Sequence, residues 1–317
     1  MRSSGRFTAA LILFLAGRLA PIAGADTIAL TPSADTTLIE FAPTNNLGGA
    51  LHFSSGGAGD NSGYKRNRAL LRFDLTGLLP AGSTVTRVTL TLNMTGQPRD
   101  EFASSCFDLH RMLRPWGEGV QTGTSSSPGR GEGVVATTNE ATWQYRFAFT
   151  TNTWAAPGGL AGVDYSPVTS SSQAIYDVGS SPYLFNSTPA FVADVQAWVN
   201  DPVANFGWIF LSEAEGTAYT VRRFGSREDV DNAPLLEVEF TAPPALRIDT
   251  AEIFAQKFQL RFQASAGQTY AVEFREAFAA GHAWQTLTNL PAPTAMTNLT
   301  VTDDLGPAQR FYRLRTP

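Results

Sequence analysis

The chain has 317 residues, with 28 Asp/Glu against 23 Lys/Arg, a formal net charge of −5, three histidines and a single cysteine. An acidic balance without a basic footprint argues against nucleic acid as a partner, and one thiol, Cys106, cannot form an internal disulfide, so folding rests on burial alone. Abundant Gly, Ser, Thr and Asn with little long helical periodicity fits an all-β exported protein.

Residues 1–25 read as an export signal: Arg2 and Arg6 form a basic start, Thr8 to Gly17 an apolar run, and Ala23-Gly24-Ala25 a small-residue cleavage pattern. That run is too short to span a bilayer, and no later segment is apolar enough for a membrane span. The expected location is secreted, extracellular or at the cell surface. Next come two strands joined by a loop. Leu71, Phe73 and Leu75 alternate with Arg72 and Asp74, and Val88, Leu90, Leu92 and Met94 alternate with Thr89, Thr91 and Asn93, the period of two expected when one sheet face is buried. Leu-Pro-Ala-Gly-Ser at 79–83 breaks the pattern as a loop.

Between Gly117 and Ser187 the chain is rich in Gly, Ser and Thr, and a long loop of this kind is where a ligand surface is expected. The convincing helix is Pro189 to Asn200. Thr188 is positioned to cap it, Pro189 suits the first turn, and Phe191, Val192, Val195, Trp198 and Val199 form one apolar stripe before Asp201-Pro202. A last strand follows, with Leu236, Val238 and Phe240 on one face and Glu237 and Glu239 on the other. The two prolines of 241–245 mark a linker. Residues 26–240 then form one domain and 246–317 a smaller one, in which Phe258, Leu260 and Phe262, Tyr270, Val272 and Phe274, Leu299 and Val301, and Tyr312 and Leu314 alternate at the spacing of a small β-sandwich.

Eight motifs in order give the larger domain a resemblance. They are Ala34-Asp35-Thr36-Thr37, Asn45-Asn46-Leu47-Gly48, Leu70–Leu92, Arg114-Pro115-Trp116-Gly117-Glu118-Gly119, Ala141-Thr142-Trp143, Trp154-Ala155-Ala156-Pro157-Gly158-Gly159, Val192–Val199 and Phe224-Gly225-Ser226-Arg227-Glu228. Together they resemble the DNRLRE domain, related to archaeal disaggregatase repeats and also described as carbohydrate-binding module family 96. The resemblance implies a jelly-roll β-sandwich with one short helix and binding of acidic polysaccharide such as alginate. Through Phe311-Tyr312-Arg313-Leu314, the smaller domain is similar to the immunoglobulin-like modules attached to exported bacterial proteins. The chain departs from the family pattern in the Gly/Ser insertion Ser125–Gly133 and in the phenylalanine-rich 146–149.

Trp116, Trp143 and Trp154 fall on family motifs and read either as core aromatics or as sugar-stacking rings. Tyr64, Lys65, Arg66 and Arg68, with Arg222 and Arg223, are the basic clusters. On an acidic protein they read either as the binding face for uronic acids, through Arg forks and a Tyr ring, or as charge protecting strand edges. Asp35 and Asn45 near the first strand and Asp229 and Asp231 before the last offer oxygen ligands for a structural calcium, with solvated turns as the alternative. No two histidines lie close in sequence, and no His-Glu-x-x-His, Gly-x-Ser-x-Gly or Walker pattern occurs. Glu118 with Glu132 or Glu140 is the remaining carboxylate pair for glycoside hydrolysis. The expected function is a non-catalytic, monomeric carbohydrate-binding protein. The alternatives are a structural or adhesive surface module and, further off, a polysaccharide-cleaving enzyme.

Overall fold

A computed structural model describes residues 25–99, 104–123, 131–243, 245–278, 281, 283–305 and 310–316. The export signal, most of the Gly/Ser insertion, Pro244 and His282 lie outside the described residues. The protein is an all-β sandwich in each part, with one α-helix among the described residues.

The larger part contains β1 (Asp26–Leu30), β2 (Ala34–Ile39), β3 (Asn45–Asn46), β4 (His52–Gly57), β5 (Arg66–Arg72), β6 (Thr84–Leu92), β7 (Met94–Gly96), β8 (Ser105–Met112), β9 (Val134–Val135), β10 (Tyr165–Ile175), β11 (Tyr183–Phe185), the helix α1 (Pro189–Asn200), β12 (Trp208–Ser212), β13 (Arg222–Gly225) and β14 (Leu235–Thr241). One antiparallel sheet has the order β1-β14-β6-β11. The second runs β10-β8-β12-β5-β4-β13-β7, with β2 also paired to β5. The two strands read around the 79–83 loop therefore belong to different sheets.

Between the sheets lies the main core. Leu71, Trp208, Phe210 and Phe224 from the larger sheet meet Val88, Leu90, Leu92, Leu236 and Val238 from the smaller one. Alternation in β6 and β14 follows directly, because each has one wet face. The larger sheet is different: Leu70 and Ile209 on its other face join Ala34, Leu38 and Met112 in a second core closed by Trp116, Trp143 and Trp154. Buried on both faces, β12 reads as a near-continuous apolar run, Trp208 to Leu211, and β5 as the shorter run Ala69 to Leu71.

Helix α1 begins and ends where its sequence pattern places it. Thr188 accepts the Phe191 N–H at 3.0 Å, Pro189 fills the first turn, and Phe191, Val195 and Trp198 are buried in the main core between β6 and β10. Asp194 shares that buried face. It accepts from Ser170 Oγ at 2.5 Å and Trp208 Nε1 at 3.0 Å, and burial raises its pKa above the usual carboxylate value.

The reading of 117–187 as a long loop that builds a ligand surface is corrected here. Its C-terminal part forms β10 and β11, and all three tryptophans before them face inward, each no more than 4 % exposed. Trp116 and Trp154 donate their indole N–H to Phe206 O and Thr142 O, both at 2.8 Å. They are core aromatics that bind this segment to the outer face of the sheet.

The smaller part has β15 (Thr250–Phe254), β16 (Lys257–Ala264), β17 (Tyr270–Arg275), β18 (Gln285–Leu290), β19 (Thr297–Asp304) and β20 (Phe311–Arg315). Two three-stranded antiparallel sheets, β15-β16-β19 and β18-β17-β20, enclose Leu260, Phe262, Tyr270, Val272 and Val301. Ala255 and Gln256, both at positive φ, make the tight turn between β15 and β16.

Candidate functional site

A cleft of about 870 Å³ opens where β4, β5, β13 and β7 lie side by side. Its walls are the loop Ala58–Ser62, Gly96–Arg99 after β7, Gly131, Tyr219 and Val221, with Ser54, Asn67 and Arg223 in the strands beneath. The volume falls in the range of small-molecule sites, and the lining is polar: Asn61, Asn67, Gln97, Arg99, Tyr219 and Arg223 all carry hydrogen-bonding groups.

Local sequence explains how the cleft is made. Gly56 has φ +116°, and any Cβ at Gly56 or Gly57 would stand 2.6 Å from Thr220 O or 2.1 Å from Thr217 O, so only glycine lets the 214–221 loop cross β4. Thr220 fastens the crossing, accepting from Gly57 N–H at 2.8 Å and donating toward Ala214 O. The crossing puts the Tyr219 ring against Gly59, where a Cβ would lie 2.5 Å from the ring. Tyr219 (φ 64°) and Tyr64 (φ 58°) are both left-handed, a conformation that bulky side chains adopt at a cost of order 1–3 kcal/mol and that clusters at binding sites.

The basic residues singled out in the sequence separate into two groups. Arg68 is buried. Its guanidinium pairs with Glu215 at 2.5 and 2.9 Å, donates to Gly158 O and Gly159 O at 2.9 and 3.2 Å, and lies 5.4 Å from the centre of the Trp143 ring. Arg66 makes a two-pronged pair with Glu40, both bonds at 2.9 Å, and also stacks on Trp143. Arg222, fully buried, donates to the carbonyls of Tyr176, Tyr219 and Val221, and burial lowers its pKa. Arg68 and Arg222 are thus internal clamps and not a ligand face, while Arg66, its side chain 37 % exposed, is held at the surface by Glu40 and Trp143.

Arg223, the next residue along β13, points from the opposite face and lines the cleft. Its side chain runs beside Gly96, and a Cβ on Gly131 would be 3.7 Å from its terminal nitrogen. Burial lowers its pKa, and burial of His52, with the Arg223 charge beside it, pushes that imidazole down to about 4, which keeps it neutral at neutral pH. Tyr64 and Lys65 are exposed on the loop that forms one wall. Asn61, Asn67, Gln97, Arg99 and Tyr219 were missed in the sequence. Only the Gly-rich run 56–59 could have signalled a close backbone approach there.

The four residues considered for calcium are not brought together. Asn45 Nδ2 donates to Glu132 O at 2.9 Å, Asp229 accepts from Asn232 at 3.0 Å, Asp231 is exposed, and Asp35 is buried in β2. Asp35 Oδ2 accepts the Arg227 N–H at 2.8 Å, while its own N–H donates to Glu118 Oε1 at 2.8 Å. Burial, with Glu118 and Glu228 nearby, pushes Asp35 up to about 8, so at neutral pH it is protonated and lacks the charge a hard cation requires. No group of three or more His, Cys, Asp or Glu positioned for a metal occurs among the described residues.

The carboxylate pair has other duties as well. Glu118 holds Arg227 at 2.6 Å, and Glu140 accepts from Val120 N–H, Thr137 N–H and Gln121. Neither lines the cleft, where Asp60 is the one carboxylate among the described residues. No family model matches the chain, and no curated protein matches it either.

Proposed function

We propose that the protein is a secreted, non-catalytic binder of acidic polysaccharide, of the kind the DNRLRE-like motifs imply, and that the ligand lies in the cleft beneath Tyr219. The observation that carries this reading is the pairing of Arg223 and Arg99 with amide side chains Asn61, Asn67 and Gln97 in one open, polar site. Amides and hydroxyls match sugar hydroxyls, guanidinium forks match uronate carboxylates, and Tyr219 supplies a ring. Tyr64 and Lys65 on the rim extend the same chemistry outward. Among the described residues Asp60 is the one carboxylate of the cleft, which supports binding over hydrolysis, a reaction that needs two carboxylates across the bond.

Affinity-gel electrophoresis of the full chain tests the reading. Alginate or polygalacturonate in the gel is expected to retard it, more weakly as salt rises, because the attraction is partly ionic. Equal retardation by neutral glucan, or none by any polyuronate, would remove the acidic-ligand reading.

A further inference from the structure

The outer face of the β18-β17-β20 sheet carries a second grouping of cations and rings. Register places Glu273 opposite Arg313 and Arg275 opposite Phe311, so Glu273, Arg275, Phe311, Arg313 and Arg315 share this face, away from the Tyr270–Val272 core. Arg313 and Arg315 both pair with Glu273, at 2.6 and 2.8 Å. Arg275 has no carboxylate within ion-pairing reach among the described residues. Its guanidinium is held by rings alone, 3.6 Å from the centre of Phe278 and 4.6 Å from that of Trp284, and Arg313 lies 4.3 Å from Trp284. Phe278 is 64 % exposed and Trp284 half-buried.

Stacking occupies the flat faces of a guanidinium and leaves its in-plane N–H donors for another partner. Here the Nε is buried without a hydrogen bond, while Arg275 as a whole stays half-exposed. We propose that this face is a second contact for carboxylated polysaccharide, with Arg275 meeting a uronate carboxylate and Phe278 and Trp284 offering ring surface to the sugar. Charge supports the assignment: residues 246–317 hold seven Lys/Arg against six Asp/Glu, whereas 26–243 hold 13 against 22. A polyanion is therefore repelled less by this part. Two weak contacts on one polymer raise avidity without raising affinity for a short fragment. The choice of a polyuronate as ligand rests on the cleft reading.

The experiment uses the full chain with Arg275→Gln and Phe278→Ala, neither of which touches the Leu260–Val301 core, beside Arg223→Gln. Five of the six tryptophans are buried, so acrylamide quenching of tryptophan fluorescence reports mainly on Trp284. Long alginate is expected to shield Trp284 in the wild type. Arg275→Gln and Phe278→Ala are expected to abolish that shielding and weaken polymer binding roughly tenfold, with uronate trisaccharide affinity unchanged. Wild-type polymer affinity and unchanged quenching in both variants would overturn the proposal and leave a purely structural ladder. Loss on Arg275→Gln with none on Arg223→Gln would support this face and overturn the cleft, and a wild type that alginate does not bind would overturn both.

Discussion

Replacing Arg68 by alanine is expected to destabilise the larger sandwich by about 3–5 kcal/mol, the usual result of removing one partner from a largely buried ion pair. Glu215 would be left with an uncompensated charge, its remaining neighbour Arg66 being 3.8 Å away and already paired with Glu40. The carbonyls of Gly158 and Gly159 would lose their donor, and the 154–159 segment its attachment to β5. Trp143 packs there against Gly158, where a Cβ would stand 2.6 Å from the ring, so the loss spreads into the second core. A thermal melt checks this; for a domain of this size the drop is on the order of 10 °C. The double change Arg68→Met with Glu215→Met is expected to recover much of the loss, because it leaves no buried charge. Unchanged melting with lost polyuronate binding would instead return Arg68 to the ligand face.

Asp35→Asn is expected to stabilise the protein in mildly alkaline solution. In the unfolded chain Asp35 ionises near its ordinary value, 3.8, whereas in the fold it holds its proton to about pH 8. Across that window the native state binds more protons than the unfolded state, so stability falls as pH rises, by up to about 1.4 kcal/mol per pH unit. His52 acts in the opposite sense. Its folded value of about 4 lies below the ordinary 6.5, so its contribution is lost as pH falls from 6.5 toward 4. The two nearly cancel there, and the Asp35 slope stands exposed between about pH 6.5 and 8. Asparagine keeps the acceptor for Arg227 N–H and cannot ionise. Denaturant titrations at pH 6.5, 7.25 and 8 should show a decline in the wild type that Asp35→Asn removes. A parallel decline in both would place the titrating group elsewhere.

Much of the architecture was legible because burial writes its period into the residues. The Glu237/Glu239 alternation and the Phe191–Trp198 stripe each have one dry side, and both elements lie where that pattern puts them. Asp194, three residues after Phe191 and four before Trp198, was visible on the same face. β2 was not legible as a strand, since Asp35-Thr36-Thr37 are polar yet wholly buried, their side chains accepting from Arg227 N–H, Asn46 in β3 and Ser54 N–H in β4. Nor was β10, whose Ser170 and Ser171 gain their partners Asp194 and Asn186 O only after folding. Within the site, the parity of β13 already separates Arg222, on the side of Phe224, from Arg223. Arg99, Gln97 and Tyr219 meet only because strands far apart in the chain become neighbours, and nothing in their own surroundings records it.

Isothermal titration of the full chain with a uronate oligosaccharide tests whether the cleft takes the acidic ligand. The wild type should bind. Arg223→Gln and Arg99→Gln should each weaken binding roughly tenfold, the loss of one charge-assisted contact of about 1.5 kcal/mol, with the thermal midpoint of Arg99→Gln unchanged. Wild-type affinity in both variants would place the ligand outside the cleft.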